Sequence, residues 1–511
     1  MIRSIFLLFF LPFCMFPLFS QIEEQTSQEI DAYIATAMDI WQVPGLAIAI
    51  VNRDSILYAK GYGILDLRDT LPVDANSLFA VASNTKAFTA TAIGLLVQEG
   101  KIDWDDKLLD YLPHFQLHDP VATRKLTVRD LLCHRVGHAT WGGDLTWYGS
   151  TYDRDEVVRR IRYQEAHDEF RTSYGYSNLM FLLAGEVIEV VTGQSWDAFI
   201  EERFFDPLEM SRSNTSVRRL ESLDNVATPH SYRLGDIFPV SYRNVDNVGP
   251  AAAINSSVTD MGHWLQLQLN RGTYNKQNIV RPSIIAETHT SHTLRPLSQT
   301  FRSLYPHTHF RTYGLGWGKM DYHGNLLISH TGGMDGMYSY TGFIPEKNLG
   351  VVVLSNRDNH SLHTAIPLYV FDQLLKHPRR DWSRIFFDQF RSKEQTARKE
   401  ASELEKDKEW AQPTLSAPAY LGQYESNIYG KAEIVSKEDQ LTIRLLAHPS
   451  IVGHLEHWQR DIWLAKWSDP IWNRSFVTFD LDDQQQIRQF RLQIRPDWID
   501  PLEYVFTKEA P

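Results

Sequence analysis

Cysteine is scarce in this chain, which has two, Cys14 and Cys133, among 511 residues. Cys14 lies in an apolar N-terminal segment that we predict is removed. One thiol would then remain, so no internal disulfide would form even in an oxidising compartment. Cys133 directly follows Leu131 and Leu132, and this apolar context predicts a buried structural thiol.

The apolar N-terminal segment is short for a membrane span. Arg3 precedes an apolar run over residues 5–19, which two prolines interrupt and Ser20 ends. This order is typical of a secretory signal peptide. We therefore predict a signal peptide over residues 1–20, an exported protein that is periplasmic or secreted, and no stable membrane span after cleavage.

The chain also lacks features that several other functions need. Its formal net charge is −12, and it has no cluster of Lys and Arg. Phosphate contacts need such clusters, so no nucleic-acid partner is predicted. No Gly-x-Ser-x-Gly elbow is present either, which excludes the α/β-hydrolase route to a serine nucleophile.

Histidine is abundant, with 19 residues, but its spacing does not predict a catalytic metal. The closely spaced histidines lack the glutamate of H-E-x-x-H and an accompanying ligand set. These pairs are His134 and His138, His307 and His309, and His454 and His457. We therefore predict no metal ion and no other cofactor.

Ser83 and Lys86 form the first of three short polar motifs, Ser-Asn-Thr-Lys. The following segment is rich in helix formers and stops at Gly100, which predicts that Ser83 lies at a helix N-terminus. The i, i+3 spacing places the Lys86 amine on the same face as the Ser83 hydroxyl. The helix dipole disfavours a charged lysine there, so Lys86 is a candidate base for a serine nucleophile.

The second motif, Tyr176-Ser177-Asn178, has a competitor in Tyr242-Arg243-Asn244. Residues 179–191 read as a long apolar helix that would anchor the first of these, whereas Tyr242 lies among polar residues. We therefore favour Tyr176.

The third motif, His330-Thr331-Gly332-Gly333, follows an apolar run that predicts a strand. Glycines there would let the backbone approach a substrate closely, as an edge strand along a cleft must do. Taken alone, the motif also fits a tight turn beside a surface histidine. The three motifs in one chain order favour a serine acyl-transfer site.

With these motifs, the chain resembles the penicillin-recognising serine hydrolases. The nearest branch contains class C β-lactamases, D-alanyl-D-alanine carboxypeptidases, family VIII esterases and LACTB-like proteases. The resemblance covers most of residues 25–376 and includes further segments at 44–51, 126–132, 313–317 and 353–356.

The resemblance implies a role for each motif residue. Ser83 would be the acylated nucleophile, Lys86 its proton acceptor, and Tyr176 a phenol that relays protons. Asn178 would orient the substrate, and the backbone N–H groups of Ser83 and Gly333 would form the oxyanion hole.

His330, Thr331, Gly332 and Gly333 would form the substrate-binding strand. In this family a lysine commonly stands at the place of His330 and helps to bind a substrate carboxylate. Histidine is a weaker, titratable cation, so esters and peptides are expected to be better substrates than penicillin-like β-lactams.

The length of the chain exceeds that of one typical domain. We predict a hydrolase domain over residues 21–378, a charged helical connector over 379–412 and a C-terminal β-rich domain over 413–511. The predicted fold class is α/β (α+β), an antiparallel β-lactamase/transpeptidase-like sheet flanked by helices, followed by a small all-β, barrel-like domain. The predicted strands of the first domain are 46–51, 56–61, 314–319, 325–330, 338–343 and 350–354.

Two functional hypotheses follow. The first is an exported serine hydrolase that acts through a Ser-Lys-Tyr acyl-enzyme mechanism on ester, D-amino-acid peptide or β-lactam substrates. The alternative is a catalytically weak peptidoglycan- or peptide-binding protein that keeps the cleft. Either way, the expected partner is a small molecule or a peptide, with cell-wall peptides among the candidates.

Overall fold

The computed structural model describes residues 22–233, 235–406, 411–437, 440–472, 474–494 and 500–509. The predicted signal peptide lies outside the described residues. Among the residues described, no helix has the length and apolar character needed to cross a membrane.

Most of the described α-helices lie between the first two strands of the main sheet and its remaining strands. Their bounds are α1 Glu24–Trp41, α2 Thr85–Gln98, α3 Pro120–Lys125, α4 Val128–Leu131, α5 Arg154–Arg160, α6 Asn178–Thr192, α7 Trp196–Ile200, α8 Gly249–Ala252, α9 Val258–Leu269, α10 Pro282–Thr288, α11 Gln299–Leu304, α12 Leu362–Leu374 and α13 Trp382–Lys406.

The strands fall into a main sheet, three small ribbons and a barrel. Their bounds are β1 Gly45–Val51, β2 Ile56–Gly63, β3 Phe79–Ala80, β4 His230–Arg233, β5 Asp236–Pro239, β6 Asn255–Ser256, β7 Thr273–Tyr274, β8 Gln277–Asn278, β9 Thr293–Leu294, β10 Arg311–Tyr313, β11 Gly318–Tyr322, β12 Asn325–Met334, β13 Met337–Ile344, β14 Leu349–Ser355, β15 Gly422–Ser426, β16 Gly430–Lys437, β17 Gln440–Leu445, β18 Val452–Gln459, β19 Ile462–Trp467, β20 Arg474–Leu481, β21 Ile487–Leu492 and β22 Tyr504–Lys508.

The main sheet joins the two ends of the hydrolase region. Its order is β2-β1-β14-β13-β12-β11-β10-β9, and β1 pairs antiparallel with β14, with Leu46 opposite Ser355. β1 is apolar throughout because both of its faces are covered. Ile48 and Ile50 pack in the core that includes α1 and α12, whereas Ala47 and Ala49 pack in the core that includes α2 and α9. The predicted antiparallel sheet with flanking helices is confirmed.

The predicted strand over 314–319 is wrong, because the chain turns there. β10 ends at Tyr313 and β11 begins at Gly318. Gly316 has a φ of +76°, and a Cβ on it would lie 2.7 Å from the Lys86 carbonyl oxygen. Glycine therefore lets this turn pack directly against the start of α2.

The C-terminal region is a closed barrel of strands β15 to β22, and β22 pairs back onto β15. Closure removes the exposed strand edges of a small sheet. Aromatic side chains fill its interior, among them Tyr424, Phe479, Phe490 and Phe506. The predicted barrel-like domain is confirmed.

The predicted connector is helical, but its beginning belongs to the hydrolase core. α13 starts at Trp382, and the Trp41 Nε1–H donates to Ser383 Oγ at 3.1 Å. Trp382 and Phe386 are buried in the same core cluster as Trp41. The exposed, charged character that the sequence predicts therefore applies only to the later turns of α13.

The barrel contacts the hydrolase region through buried polar groups. His448 Nε2 lies 3.1 Å from the carbonyl oxygen of Leu145, and the Leu145 backbone N–H points to Asp500 at 3.4 Å. Arg243 donates to Asp469 at 3.0 Å. His448 and Asp500 are almost fully buried by this contact.

Candidate active site

Ser83 lies in a short 3₁₀ turn, Ala82–Asn84, that continues directly into α2. Ala82 has a φ of +47°, in the left-handed region that a residue with a Cβ rarely adopts. Such a conformation costs about 1–3 kcal/mol and is typical of functional sites. Ser83 itself is half-buried and lines a large cleft, so its hydroxyl is accessible to a substrate.

Lys86 lies one turn further along and points at Ser83. Its Nζ donates to Ser83 Oγ at 3.1 Å, to Asn178 Oδ1 at 2.7 Å and to the carbonyl oxygen of Ala251 at 2.9 Å. Burial lowers the pKa of Lys86 to about 7, although the charge of Asp144 acts in the opposite direction. Near neutral pH a large share of Lys86 is therefore an uncharged amine that can accept a proton.

Asn178 is held against Lys86 by residues that the sequence did not single out. Its Nδ2 donates to Asp144 Oδ2 at 2.6 Å, and the Trp147 Nε1–H donates to Asp144 Oδ1 at 2.8 Å. Burial raises the pKa of Asp144 well above its ordinary value. This chain of hydrogen bonds fixes the Asn178 amide with its oxygen towards Lys86. No sequence pattern marks Asp144, because the contact is made by residues far apart in the chain.

Tyr176 lies beside the Ser83–Lys86 pair. Lys86 Nζ is 4.8 Å from the centre of the Tyr176 ring, and a hydrogen bond links the Tyr176 hydroxyl to Ser83. Burial raises the pKa of Tyr176 well above 10, which keeps the phenol protonated. The competing Tyr242 does not line the cleft as the structure describes it. Its hydroxyl donates to the carbonyl oxygen of Ala227 at 2.8 Å.

The third motif lies at the end of β12. β11 pairs with β12 only as far as Ser329, so residues 330–334 have no partner on that side among the described residues. Thr331 and Gly333 are exposed in the cleft along this edge. A peptide backbone could pair with such an edge.

The close approach that glycine permits here is to the Ser83 turn. A Cβ on Gly332 would lie 2.1 Å from the Val81 carbonyl oxygen and 3.1 Å from the Ser83 backbone nitrogen. The sequence interpretation, in which the substrate was the close neighbour, is therefore wrong for Gly332. This residue brings the strand against the nucleophile's own turn, and Gly333 is the glycine exposed in the cleft.

His330 is buried and uncharged. The Tyr313 hydroxyl donates to Nε2 at 2.9 Å, and Nδ1 lies 2.6 Å from the Thr331 carbonyl oxygen, to which it donates. Burial, together with the charge of Lys86, lowers the pKa of His330 to about 3. The expectation of a titratable cation at this place is wrong, since the imidazole stays neutral over the ordinary pH range.

Arg295 and Arg311 are among the cationic side chains that line the cleft. Their guanidinium groups lie 4.9 Å from the Tyr174 ring centre and 4.0 Å from the Phe301 ring centre, respectively. In the part of the chain that the structure describes, neither forms an ion pair with a carboxylate. Burial lowers the pKa of Arg311 to about 10, so its guanidinium remains a cation at neutral pH.

The cleft has a volume of about 1640 Å³ and is bounded by both regions of the molecule. The hydrolase region supplies the three motifs and the two arginines. The barrel supplies mostly large side chains, and α13 adds two residues from its later turns. These residues are Trp458, Leu464, Ile471, Arg474, Ser475, Phe476 and Gln493 of the barrel, and Ala397 and Glu400 of α13.

This arrangement agrees with comparisons of the chain with known proteins. The profile of the family described as Beta-lactamase matches residues 30–374. The chain belongs to the beta-lactamase family. A second profile, a domain of unknown function (DUF3471), matches residues 406–506, which include most of the barrel.

Similar proteins include named hydrolases. The chain is 30% identical over 443 residues to the unguisins hydrolase ungD of Aspergillus violaceofuscus. The match covers 80% of this chain and 76% of that protein. It is 27% identical over 366 residues to Protein flp of Staphylococcus aureus, across 70% of this chain and 68% of that protein. These matches support a β-lactamase/transpeptidase-like serine hydrolase.

Two solved structures have the same fold. The octameric penicillin-binding protein homologue from Pyrococcus abyssi superposes with a TM-score of 0.62 at 22% identity, covering 94% of this chain and 100% of that one. A D-stereospecific amidohydrolase from Streptomyces sp. superposes with a TM-score of 0.51 at 26% identity, covering 65% of this chain and 94% of that one.

Proposed function

We propose that this protein is an exported serine hydrolase that forms an acyl-enzyme on Ser83 and acts on peptides and amides containing D-amino acids. The observation that carries the proposal is the pair formed by Ser83 and Lys86. The buried amine lies 3.1 Å from the hydroxyl, and its pKa is lowered to about 7. A serine hydroxyl needs such a base within hydrogen-bond reach to act as a nucleophile at neutral pH.

In the first half of the reaction Lys86 Nζ takes the Ser83 proton while Ser83 Oγ attacks the substrate carbonyl carbon. The negative charge that develops on the carbonyl oxygen is stabilised by the backbone N–H groups of Ser83 and Gly333. As the C–N bond breaks, the protonated phenol of Tyr176 passes a proton to the leaving amine and regains one from Lys86. Water then attacks the acyl carbon and gives a proton to the same groups, which return a proton to Ser83 Oγ as the bond from Oγ to the acyl carbon breaks.

Three features of the cleft favour a peptide over a small ester. The free edge at Thr331 and Gly333 can hydrogen-bond an extended backbone, and the arginines can bind a carboxylate. The apolar wall from the barrel offers contacts that only a large substrate reaches. The likeness to a D-stereospecific amidohydrolase supports D-configured substrates within this class.

Hydrolysis of matched D- and L-amino-acid peptide amides tests the proposal. We expect the D series to be cleaved faster and Ser83→Ala to lose turnover. Ser329→Ala, which alters another serine lining the same cleft, should retain it. Binding of D-peptides without turnover by the wild-type protein would support the alternative, a peptide-binding protein.

Export is the part of the proposal that rests on the sequence of residues 1–20. N-terminal sequencing of the protein from its native host is expected to find a mature chain that starts near Gln21. A chain that starts at Met1 would contradict export through a cleaved signal.

A further inference from the structure

A second cluster of polar side chains lies apart from the Ser83 motifs. His323 is in the turn that joins β11 to β12, Asp372 is near the end of α12, and His377 follows that helix. One potential ligand atom from each lies within 4.8 Å of those of the other two. None of the three lines the cleft as the structure describes it.

Asp372 is buried and rigidly oriented. Its two carboxylate oxygens accept hydrogen bonds from the Tyr322 hydroxyl at 2.5 Å and from the Trp382 Nε1–H at 2.7 Å. Its side chain is 1% exposed. An ionised carboxylate has about four acceptor positions, so lone pairs remain for another partner. Carboxylates that bind metals are typically oriented by such outer hydrogen bonds.

The histidines face this carboxylate and each other. The His323 and His377 ring centres are 4.5 Å apart, and His377 Nδ1 is 3.5 Å from Asp372 Oδ1. That nitrogen is buried and makes no hydrogen bond within the described residues.

We propose that His323, Asp372 and His377 bind a divalent transition-metal ion, with Zn²⁺ the best match. Two imidazoles and one carboxylate form a typical zinc ligand set. His307, whose ring centre is 4.8 Å from that of His323, or a water molecule would complete a tetrahedral site. Tetrahedral ligands at about 2.0–2.1 Å from zinc are separated by roughly 3.4 Å, so ligand atoms up to 4.8 Å apart must close by up to about 1.4 Å.

The site would stabilise the fold and take no part in catalysis. It would join the β11–β12 turn to α12 and, through the Trp382 contact with Asp372, to the start of α13. A metal that binds only the folded state stabilises it by an amount that grows with the logarithm of the ratio of metal concentration to Kd, and so raises the melting temperature.

The test uses the full chain without a histidine tag, stripped of metal by a chelator and titrated with Zn²⁺. We expect one ion per chain in calorimetry, a melting temperature raised by on the order of a few degrees, and absorption typical of tetrahedral Co²⁺ when cobalt replaces zinc. His323→Ala, at a half-buried position in a turn, and His377→Ala should each weaken binding by about 100-fold. His309→Ala, which removes a mostly exposed histidine nearby, should leave affinity unchanged.

Absence of stoichiometric binding by Zn²⁺ and Co²⁺ would overturn the proposal. So would a Zn²⁺ affinity in His323→Ala equal to that of the wild type. Because His377→Ala alters a more buried site, circular dichroism must show that it folds, and His323→Ala decides the question if it does not.

Discussion

The Ser83 region and the C-terminal barrel line the same cleft with different chemistry. Around Ser83, polar atoms are fixed by several hydrogen bonds each, as at Lys86 Nζ with its three acceptors. The barrel instead contributes large side chains such as Trp458, Leu464 and Phe476. Changes near Ser83 should therefore alter the rate of the chemical step, whereas changes in the barrel wall should alter substrate binding.

The largest effect is expected from Lys86→Ala, which removes the base. We predict a loss of at least about 10⁴-fold in kcat/KM, and little further loss when Ser83→Ala is added, because the two residues act as a unit. Lys319→Ala alters another lysine lining the cleft and should change kcat/KM by less than about tenfold. Steady-state kinetics with one D-peptide amide compare the three variants. Similar losses of kcat/KM in Lys86→Ala and Lys319→Ala would show that Lys86 is not the specific base.

Tyr176→Phe should lower kcat by about 10²–10⁴-fold, the range for loss of a general acid–base group, with a smaller change in KM. Tyr242→Phe is the matched control, since it removes a buried hydroxyl that bonds only the carbonyl oxygen of Ala227 among described residues. Loss of activity in Tyr242→Phe, with activity retained in Tyr176→Phe, would show that Tyr242 is the general acid–base residue.

The pH dependence of kcat/KM should follow the protonation of Lys86. Burial lowers its pKa to about 7, and only the neutral amine can accept the Ser83 proton. We therefore expect kcat/KM to rise with pH through about 7 and to fall about tenfold per unit below it. The midpoint should persist in His330→Gln, because the pKa of His330 lies at about 3. A midpoint that moves in this variant would assign the titration to the histidine.

Arg295→Gln should lower kcat/KM for carboxylate-bearing substrates by about tenfold and leave uncharged amides almost unchanged. Arg295 and Arg311 line the cleft and form no ion pair with a carboxylate among the described residues, whereas His330 is neutral. His330→Lys would place a positive charge beside Lys86, so we do not expect it to improve β-lactam hydrolysis. Competition between a neutral and a carboxylated substrate measures both variants.

The smallest effect is expected from the barrel wall. Phe476→Ala should raise KM about three- to tenfold for long peptides, because an apolar contact is lost. It should leave kcat, and the KM for dipeptide amides, unchanged. Leu446→Ala is the control, as an exposed apolar residue of the barrel outside the cleft. A fall in kcat for short substrates would show that the barrel takes part in the chemistry.

Local sequence patterns predicted the parts of the site that lie within single segments. The helix after Ser83 and the apolar run after Asn178 place both motifs, and β12 carries His330. Asp144 and Tyr313 were missed as functional residues because their roles depend on contacts between distant segments. The sequence predicted a C-terminal barrel-like domain, but no pattern shows which face of a barrel meets a cleft.

The strand predicted over 314–319 shows the same limit. Its apolar composition fits a strand, yet Gly316 turns the chain so that it can pack against α2. Contact with a helix more than 200 residues earlier decides this conformation. Periodicity within a short window carries no information about that contact.

Mapping of a covalent adduct directly tests whether Ser83 is the nucleophile and Lys86 its base. The full chain is treated with a fluorophosphonate at pH 8, digested, and analysed by mass spectrometry. We predict a single adduct on Ser83 that forms far more slowly in Lys86→Ala and at the wild-type rate in Lys319→Ala. An adduct on another serine would contradict Ser83 as the nucleophile. Labelling of Ser83 at an unchanged rate in Lys86→Ala would contradict Lys86 as its base.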